Sequence, residues 1–444
     1  MARQVRKRLV SPVELVQAHL DRIAALDGSV GAFQVVRAGA AIAEARRLAA
    51  RSDLARLPLA GVPVAIKDNT DVAGEATRMG SAATPAEPAR ADDELVARLR
   101  AAGCVVIGKT KMPELAIWPF TEPAVFGPAR NPWNLGRTPG GSTGGGAAAV
   151  AAGMAAIALG SDGGGSIRIP ASCCGLLGFK PGPGLVPLAG GAAVHWLGLT
   201  AFGPIARSVA DAAIALDVMA GTRTYRDPKP QSEPLRIAFS DRHPLIGVRT
   251  AGRIRTALDD LAGVLRNAGH ALVEDSPRYT ATLGLRFNAR WLAGIAQDAE
   301  GLDASALEPR TRQLVRLGRL LAGRTSPAAA DRFAARAARW FADYDVLITP
   351  TLTSGPVPVG NWDGHGWITT MLGSARWINT PQWNLAGLPA MTIPFGRDDD
   401  GLPIGLQLIG PAGSERLLLQ LAAQVESLRP WSSLAPLGTE ASHE

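Results

Sequence analysis

The sequence predicts an α/β fold: a single large domain over residues 1–444, with a mixed, mostly parallel β-sheet surrounded by helices. Short runs of apolar and β-branched residues alternate with segments of helical periodicity, and this alternation is typical of α/β proteins. The 444 residues are 47% hydrophobic and only 19% charged. This composition argues against a disordered chain and supplies enough apolar side chains for a large core.

Start and stop signals place the first elements. The segment Ser11–Glu14 has the pattern of a capping box with proline at the first helical position, which predicts a helix start. The run Val62–Ile66 predicts a buried strand that ends at Lys67. A helix is expected at Asp93–Ala102, and the next strand at Cys104–Ile107.

A glycine- and alanine-rich region follows in the middle of the chain. Gly144–Ala158 predicts a helix that runs into a strand at Ala156–Leu159. The glycines of Gly163–Gly165 end this strand, and a new helix is expected to begin near Ser166. The proline-rich stretch Arg226–Pro234 is the best candidate for an internal linker.

Strands and helices are also expected after this linker. Residues 280–340 have an arginine-rich, helical pattern without a recognisable motif. The other expected elements are strands at Arg236–Phe239, Asp345–Thr349, Ala390–Pro394 and Ile404–Ile409, and helices at Arg249–Ala268 and Ser414–Leu428.

Charge and cysteine content argue against several classes of protein. The net charge of +7, from 46 basic and 39 acidic residues, is spread along the chain. It is typical of an ordinary basic surface, so no nucleic-acid partner is expected. Three cysteines do not make a disulfide framework, and the six histidines stand singly. We therefore expect reduced thiols and neither a metal nor a cofactor.

Two features bear on the cellular location. Residues 1–10 are basic but lack the apolar core of a signal peptide. The uncharged residues 138–161 are long enough for a membrane span, but they are mostly glycine and alanine, which favours a buried helix of a soluble protein. We expect a cytoplasmic monomer or homodimer without a membrane partner.

Ser166 is the first candidate catalytic residue. Three glycines stand before it, namely Gly163, Gly164 and Gly165. Without side chains, their N–H groups and that of Ser166 can approach a carbonyl oxygen closely, and the helix that follows adds positive potential. The arrangement predicts an oxyanion hole beside a serine, although a capping serine in a plain glycine turn fits the same pattern.

Lys67 and Ser142 are the second and third candidates. A lysine at the end of an apolar strand is expected to be buried, and burial favours the neutral amine that can act as a base. Alternatively, Lys67 reaches solvent or pairs with Asp68. Ser142, in the glycine loop Gly140–Gly146, can pass a proton between the nucleophile and the lysine. The same loop fits the nucleophile elbow of α/β-hydrolases, but no strand precedes it here.

These residues and their surroundings resemble the amidase signature family. The resembling segments are Gly61–Asn69, Gly136–Gly153, Asp162–Pro181, Asn384–Ala390 and Gly401–Gln407. The resemblance implies an amidase signature fold, with a motif core at about residues 61–225 and 343–431 and a variable helical insert at about residues 228–340.

The resemblance also implies the chemistry, which is amide-bond hydrolysis by a Ser-cisSer-Lys triad through an acyl-enzyme. In that scheme Ser166 is the nucleophile, Ser142 is the bridging serine after a cis peptide bond, and Lys67 is the base. Asp162 and Arg168 match positions that support the nucleophile loop. Gly163 replaces a more usual isoleucine or threonine, a change that is expected to loosen the oxyanion loop or widen the pocket.

Substrate-binding residues are expected near the glycine loop. Trp118 and Phe120 follow a stretch that often lines the acyl pocket in similar enzymes, and they would suit an aryl or apolar amide; alternatively, both belong to the core. Gly141 and Thr143 flank the bridging serine, and Thr143 replaces the commoner serine while keeping the hydroxyl.

Three functions stay open at this point. The first is an amidase for small aryl or aliphatic amides, with ester or carbamate (urethane) hydrolysis as further activities of the same route. The second is the amidase subunit of a tRNA-dependent amidotransferase. The third is a non-catalytic binding protein on the same scaffold, against which the intact set of Lys67, Ser142 and Ser166 argues.

Overall fold

The fold is known from a computed structural model, which describes residues 1–191, 194–280, 282–322, 325, 331–432 and 434–437. Its strands are β1 (Phe33–Val36), β2 (Pro63–Lys67), β3 (Val105–Thr110), β4 (Ile157–Asp162), β5 (Leu177–Lys180), β6 (Ala201–Ala206), β7 (Arg236–Phe239), β8 (Ala271–Glu274), β9 (Val346–Pro350), β10 (Ala390–Arg397) and β11 (Pro403–Ile409). Its helices are α1 (Ala2–Arg6), α2 (Pro12–Val30), α3 (Ala38–Ala49), α4 (Glu94–Ala101), α5 (Gly144–Ala151), α6 (Arg168–Cys174), α7 (Val209–Ala220), α8 (Gly252–Asn267), α9 (Leu283–Asp298), α10 (Pro309–Ala322), α11 (Asp331–Trp340), α12 (Trp367–Trp377), α13 (Pro381–Leu385) and α14 (Glu415–Leu428).

The eleven strands form one mixed sheet in the order β1-β3-β2-β4-β6-β5-β10-β11-β9-β7-β8. The α/β class and the mixed sheet are confirmed. The expected predominance of parallel pairing is wrong for the described strands, since six of the ten strand pairs are antiparallel. Parallel pairs occur in two groups, β3-β2-β4 and β9-β7-β8.

The start and stop signals locate most elements correctly. Ser11 caps α2 in a capping box with Glu14, and Asp93 caps α4 by accepting from the backbone N–H of Leu95. The glycine-rich stretch divides differently from the expectation, because α5 already ends at Ala151 and β4 begins at Ile157. The segment around residues 228–340 supplies strands β7 and β8 as well as helices, and both strands belong to the sheet.

Alternating residues of the central strands face two different cores. Val64 and Ile66 of β2 pack with α4, α7, α8 and α14, while Ala65 packs with α2, α3, α5 and α6. Because side chains alternate along a strand, Lys67 shares the face of Ala65, next to α5 and α6. The loops that begin these two helices carry Ser142 and Ser166, so the sheet brings the lysine to both serines.

The described residues contain neither a membrane span nor a metal cluster. No helix among them combines the length and the apolar character that crossing a membrane requires. No cluster of three or more His, Cys, Asp or Glu side chains in this part of the chain is placed to hold a metal ion.

Candidate active site

Lys67 is fully buried at the C-terminal end of β2. Its Nζ lies 2.7 Å from Ser142 Oγ and 2.8 Å from Ser161 Oγ. Burial lowers the pKa of Lys67 to about 7, against a smaller opposing effect of the Asp162 charge. The alternative pairing with Asp68 is not formed, because Asp68 pairs with Lys109 at 2.9 Å. Lys67 is therefore available as a neutral amine near neutral pH.

Ser142 lies in the buried loop before α5, after a cis peptide bond between Gly141 and Ser142. Gly141 has no room for a side chain, since a Cβ there would stand 2.7 Å from the backbone nitrogen of Phe120. Thr143 ties this loop to the next one, because its N–H donates to the carbonyl of Ser166 at 3.1 Å. Gly141 and Thr143 thus pack the loop and do not line either cavity beside Ser166.

Ser166 stands in the turn between β4 and α6. Its hydroxyl makes no hydrogen bond to the described residues, and neither do the N–H groups of Gly163, Gly164 and Ser166. Gly165 differs: its N–H donates to Asp162 Oδ1 at 2.7 Å. Because that single hydrogen is already bonded, Gly165 does not fit the expected oxyanion hole, and the N–H groups left free are those of Gly163, Gly164 and Ser166.

Asp162 and Arg168 form a fully buried ion pair beneath this turn. The guanidinium contacts both carboxylate oxygens, each at 3.0 Å. Burial alone would raise the pKa of Asp162, but Arg168 outweighs it and holds that pKa well below its usual range. The carboxylate also accepts from the N–H groups of Gly165 and Ile167. The ion pair therefore holds the turn from below.

The C-terminal part of the chain completes the surroundings of Arg168. Its guanidinium donates to Gln407 Oε1 at 3.1 Å, to the carbonyl of Thr380 at 3.2 Å and to Asn384 Oδ1 at 2.5 Å. Asn384 in turn donates to Asp162 Oδ1 at 2.8 Å. The two C-terminal segments that resemble the family thus contact Arg168 and Asp162, and they make no hydrogen bond to the side chain of Ser142 or Ser166.

Two cavities meet at Ser166. One, of about 180 Å³, is lined by Ser142, Ser161 and Gly163 and by polar side chains that include Asp71, His195 and Asp298. The other, of about 210 Å³, is mostly apolar and is lined by residues of α9 and α12 together with Trp118 and Gly164. Ala116, Ser166 and Trp196 belong to both linings. An amide placed at Ser166 can therefore extend to a polar side and to an apolar side.

Trp118 and Phe120 have different positions. Trp118 lines the apolar cavity, whereas Phe120 is 1% exposed, lines neither cavity and stacks behind Trp118 with ring centroids 5.8 Å apart. Trp118 and Phe120 were both expected to bind substrate. This expectation is corrected for Phe120, which belongs to the core. The other aromatic side chain beside Trp118 in the lining is that of Trp291 on α9, and the two ring centroids are 6.2 Å apart.

Ser161 is a polar contact of Lys67 that the sequence did not indicate. It precedes Asp162 at the end of β4, the strand that pairs in parallel with β2. Its Oγ accepts from Lys67 Nζ at 2.8 Å and from Asn69 Nδ2 at 3.0 Å, and its carbonyl lies 3.4 Å from Nζ. A neutral amine has two hydrogens and one lone pair. With both hydrogens directed at Ser161, the lone pair is left for Ser142.

We expect Ser161→Ala to lower kcat by about 10–100-fold, the equivalent of one hydrogen bond to a charged group. The rate should also reach its plateau at a lower pH, because the ammonium form of Lys67 loses an acceptor and its pKa falls further. Ser161→Thr, which keeps the hydroxyl, is the control. A pH–rate profile checks both effects, and an unchanged profile in Ser161→Ala contradicts the role of Ser161.

Comparison with known proteins agrees with this geometry. The family model described as Amidase matches residues 14–419. The chain is 45% identical, over 96% of its length and 95% of the relative, to the Mycobacterium tuberculosis protein named "Putative amidase AmiB2". It is also 37% identical to a glutamyl-tRNA(Gln) amidotransferase subunit of a Synechococcus strain, over 97% of this chain and 96% of that protein.

A solved structure with the same fold is that of 6-aminohexanoate cyclic dimer hydrolase with its substrate. It superposes with a TM-score of 0.85 at 31% identity, over 98% of this chain and 97% of that chain. The family match and these relatives span nearly the whole sequence. The protein therefore belongs to the amidase signature family and is an amidase, a hydrolase of carbon–nitrogen bonds.

Proposed function

We propose that Lys67, Ser142 and Ser166 hydrolyse small, uncharged aryl or aliphatic amides through an acyl-enzyme. The observation that carries this proposal is the contact of Lys67 Nζ with Ser142 Oγ at 2.7 Å, beside a serine that opens onto two cavities. Esters and carbamates share the acyl-transfer route and belong to the same proposal.

The proton path follows from the contacts of the lysine. Ser166 Oγ attacks the carbonyl carbon and gives its proton to Ser142 Oγ, while the proton of Ser142 passes to the neutral Nζ of Lys67. When the carbon–nitrogen bond breaks, the same relay runs backwards and protonates the departing amine. Water then attacks the acyl-enzyme by the first route and releases the acid. Ser166 is expected to approach Ser142 only when substrate is bound, as catalytic hydrogen bonds often do.

The developing oxyanion is bound by the three free N–H groups of the turn, those of Gly163, Gly164 and Ser166. Such preorganised donors typically contribute about 10²–10³-fold each to kcat. The ion pair of Asp162 and Arg168 keeps them in place, because the carboxylate accepts from the neighbouring N–H groups of the same turn.

The apolar cavity supports the choice of an uncharged substrate. No Asp, Glu, Lys or Arg is among the described residues that line the apolar cavity, so a charged substituent would lose its hydration there without a partner. The related 6-aminohexanoate cyclic dimer hydrolase acts, by its name, on a cyclic dimer. We propose a similarly compact, uncharged amide for this chain.

A serine-directed fluorophosphonate tests the assignment of the nucleophile. The reagent should label Ser166, located by peptide mass spectrometry, because Ser142 is fully buried and bonded to Lys67. The Lys67→Ala variant should be labelled far more slowly, which would show that the reactivity of Ser166 depends on Lys67. Labelling at Ser142 would instead favour the nucleophile elbow of an α/β-hydrolase.

The matched variants Trp118→Ala and Phe120→Ala test the apolar cavity as a binding site. Trp118→Ala should change the ratio of kcat/KM for anilides to that for short aliphatic amides by about 10–200-fold, since it removes a wall contact. Phe120→Ala should leave this ratio nearly unchanged and lower the stability by about 3–5 kcal/mol, as a core truncation does. Equal ratios in both variants would remove Trp118 from the substrate site.

The similarity to an amidotransferase subunit gives a second candidate function, that of a subunit of such an enzyme. Purification from the native host distinguishes the two functions. An amidotransferase subunit copurifies with partner subunits and depends on them, whereas a free-standing amidase hydrolyses amides without other subunits. Activity of the isolated chain on anilides supports the proposal. The appearance of activity only with copurifying subunits would overturn it.

A further inference from the structure

Trp196 borders both cavities and packs against the turn that carries Ser166. Its side chain is buried, and it is among the residues that line each cavity. A Cβ added to Gly163 would stand 2.7 Å from Cε3 and 2.9 Å from Cζ3 of the indole ring, closer than such atoms approach in proteins. The space that a side chain at position 163 would fill is therefore taken by Trp196.

Helix α9 contacts another part of the same ring. A Cβ added to Gly294 would stand 2.5 Å from both Cγ and Cδ1 of Trp196, and glycine is otherwise unfavourable in the middle of a helix. Asp298, one turn further along the same face of α9, accepts from Trp196 Nε1 at 2.7 Å and lies 2.9 Å from His195 Nε2. Two glycines and one carboxylate thus fix the position of the ring.

The backbone at Trp196 has a strained conformation. Trp196 and Leu197 have φ angles of 48° and 52°. Residues with a Cβ adopt this left-handed region only at a cost in free energy, and they do so mainly at functional sites, where surrounding contacts compensate for it. His195 adds such a contact, because its ring stacks on the indole with centroids 5.6 Å apart. A ring held in this way can act as a rigid wall.

We propose that Trp196 determines the specificity of the site by excluding substrates that are branched next to the scissile amide. In the proposed mechanism the N–H of Gly163 binds the oxyanion, so the first carbon of the acyl part or of the amine part lies next to the ring. The substrate class is then an amide that is unbranched at this carbon. This inference rests on the proposed function, because it assigns a selecting role in that reaction to Trp196.

Pairs of isomeric substrates test the exclusion of branched groups. On the acyl side, the pair is the para-nitroanilide of butyric acid and that of isobutyric acid. On the amine side, it is N-butyl butyramide and N-sec-butyl butyramide. The measured quantity is the ratio of kcat/KM for the straight isomer to that for the branched isomer. In Trp196→Ala this ratio should fall, for at least one pair, by about 10–200-fold relative to the wild type.

Trp291→Ala is the matched control for the loss of a ring. Trp291 is another buried tryptophan, and it lines the apolar cavity but is not part of the lining of the polar one. This variant should keep the wild-type ratio. Trp196→Phe leaves part of the space open and should show a smaller fall, so it keeps the test valid if Trp196→Ala does not fold. Thermal unfolding checks the fold of each variant.

A double-mutant cycle tests whether the ring needs the space at position 163. Gly163→Ala should lower kcat/KM by about 10-fold or more in the wild type, because its methyl group overlaps with the fixed ring, and by much less in Trp196→Ala. Gly164→Ala is the control: its Cβ would stand 2.8 Å from Cζ of Phe287, so its effect should be the same in both backgrounds. Neither glycine has a positive φ, so backbone strain does not contribute.

Three results would overturn the inference while the proposed amidase function stands. The first is an unchanged ratio in a folded Trp196→Ala or Trp196→Phe that cleaves both isomers. The second is an equal effect of Gly163→Ala in the wild type and in Trp196→Ala. The third is a folded Trp196→Phe that cleaves neither isomer, since the reaction itself would then need the ring. A wild type that cleaves no member of any pair would instead remove the proposed function, and the inference with it.

Discussion

Lys67→Met is expected to abolish amide hydrolysis, with kcat lowered by at least about 10⁴-fold, because a hydroxyl relay without a base cannot take the proton of Ser166. Lys67→Arg should be equally inactive, since a guanidinium stays protonated. In the wild type the rate should rise with pH and level off above a pKa of about 7, where Lys67 becomes neutral. Steady-state kinetics across the neutral pH range check all three results, and substantial activity in a folded variant contradicts the Ser-Ser-Lys mechanism.

Lys67→Met also has a predicted effect on stability, and measuring this effect shows at the same time whether the variant folds. The pKa of Lys67 is about 7 in the folded protein and 10.5 as the ordinary value, so the unfolded chain binds more protons between these pH values. The free energy of unfolding should therefore rise with pH across that window. Lys67→Met should lose this rise and be at least as stable as the wild type at about pH 7. Thermal unfolding at several pH values measures it.

Arg168→Met is expected to lower the free energy of unfolding by about 3–5 kcal/mol, because it leaves the Asp162 carboxylate buried without its counter-ion. Activity should fall as well, since the turn that carries Ser166 is held through this carboxylate. Burial would then raise the pKa of Asp162, so the loss of stability should be smaller at about pH 5 than at about pH 7. Chemical denaturation at both pH values is the measurement.

The double variant Asp162→Asn/Arg168→Met separates charge from packing. It removes both members of the ion pair and should recover part of the stability that Arg168→Met loses, but not the activity. A double variant that is less stable than Arg168→Met would show that packing of the long side chain, and not the unpaired carboxylate, dominates the effect.

The residues of the proposed catalytic set could be picked out from the sequence because they have local signals. Lys67 ends an apolar β-branched run, and Ser166 follows three glycines. Ser161 has no such signal: it is one small residue in a strand, and only the parallel pairing of β4 with β2 brings it to the lysine. Pairing between distant strands is not encoded in spacing along the chain, so the sequence alone could not indicate it.

Three other differences have causes that cannot be read from the sequence. The N–H of Gly165 is withdrawn from the oxyanion hole by Asp162, a hydrogen bond that depends on the three-dimensional path of the turn. Trp118 and Phe120 are both large aromatic residues, and their separate positions follow from packing against α9 and Trp362. One of the six antiparallel pairs joins C-terminal strand β10 to β5, a long-range contact without a local pattern.

The contacts of Arg168 have a consequence for the order in which the protein is made. Synthesis proceeds from the N-terminus, so the reactive lysine and serines leave the ribosome well before Asn384 and Gln407 exist. Strand β5 must likewise wait for β10 before its second edge is covered. The turn at Ser166 can therefore reach its final shape only when nearly the whole chain has been synthesised, and a growing chain carries the hydrolytic groups without yet being a hydrolase.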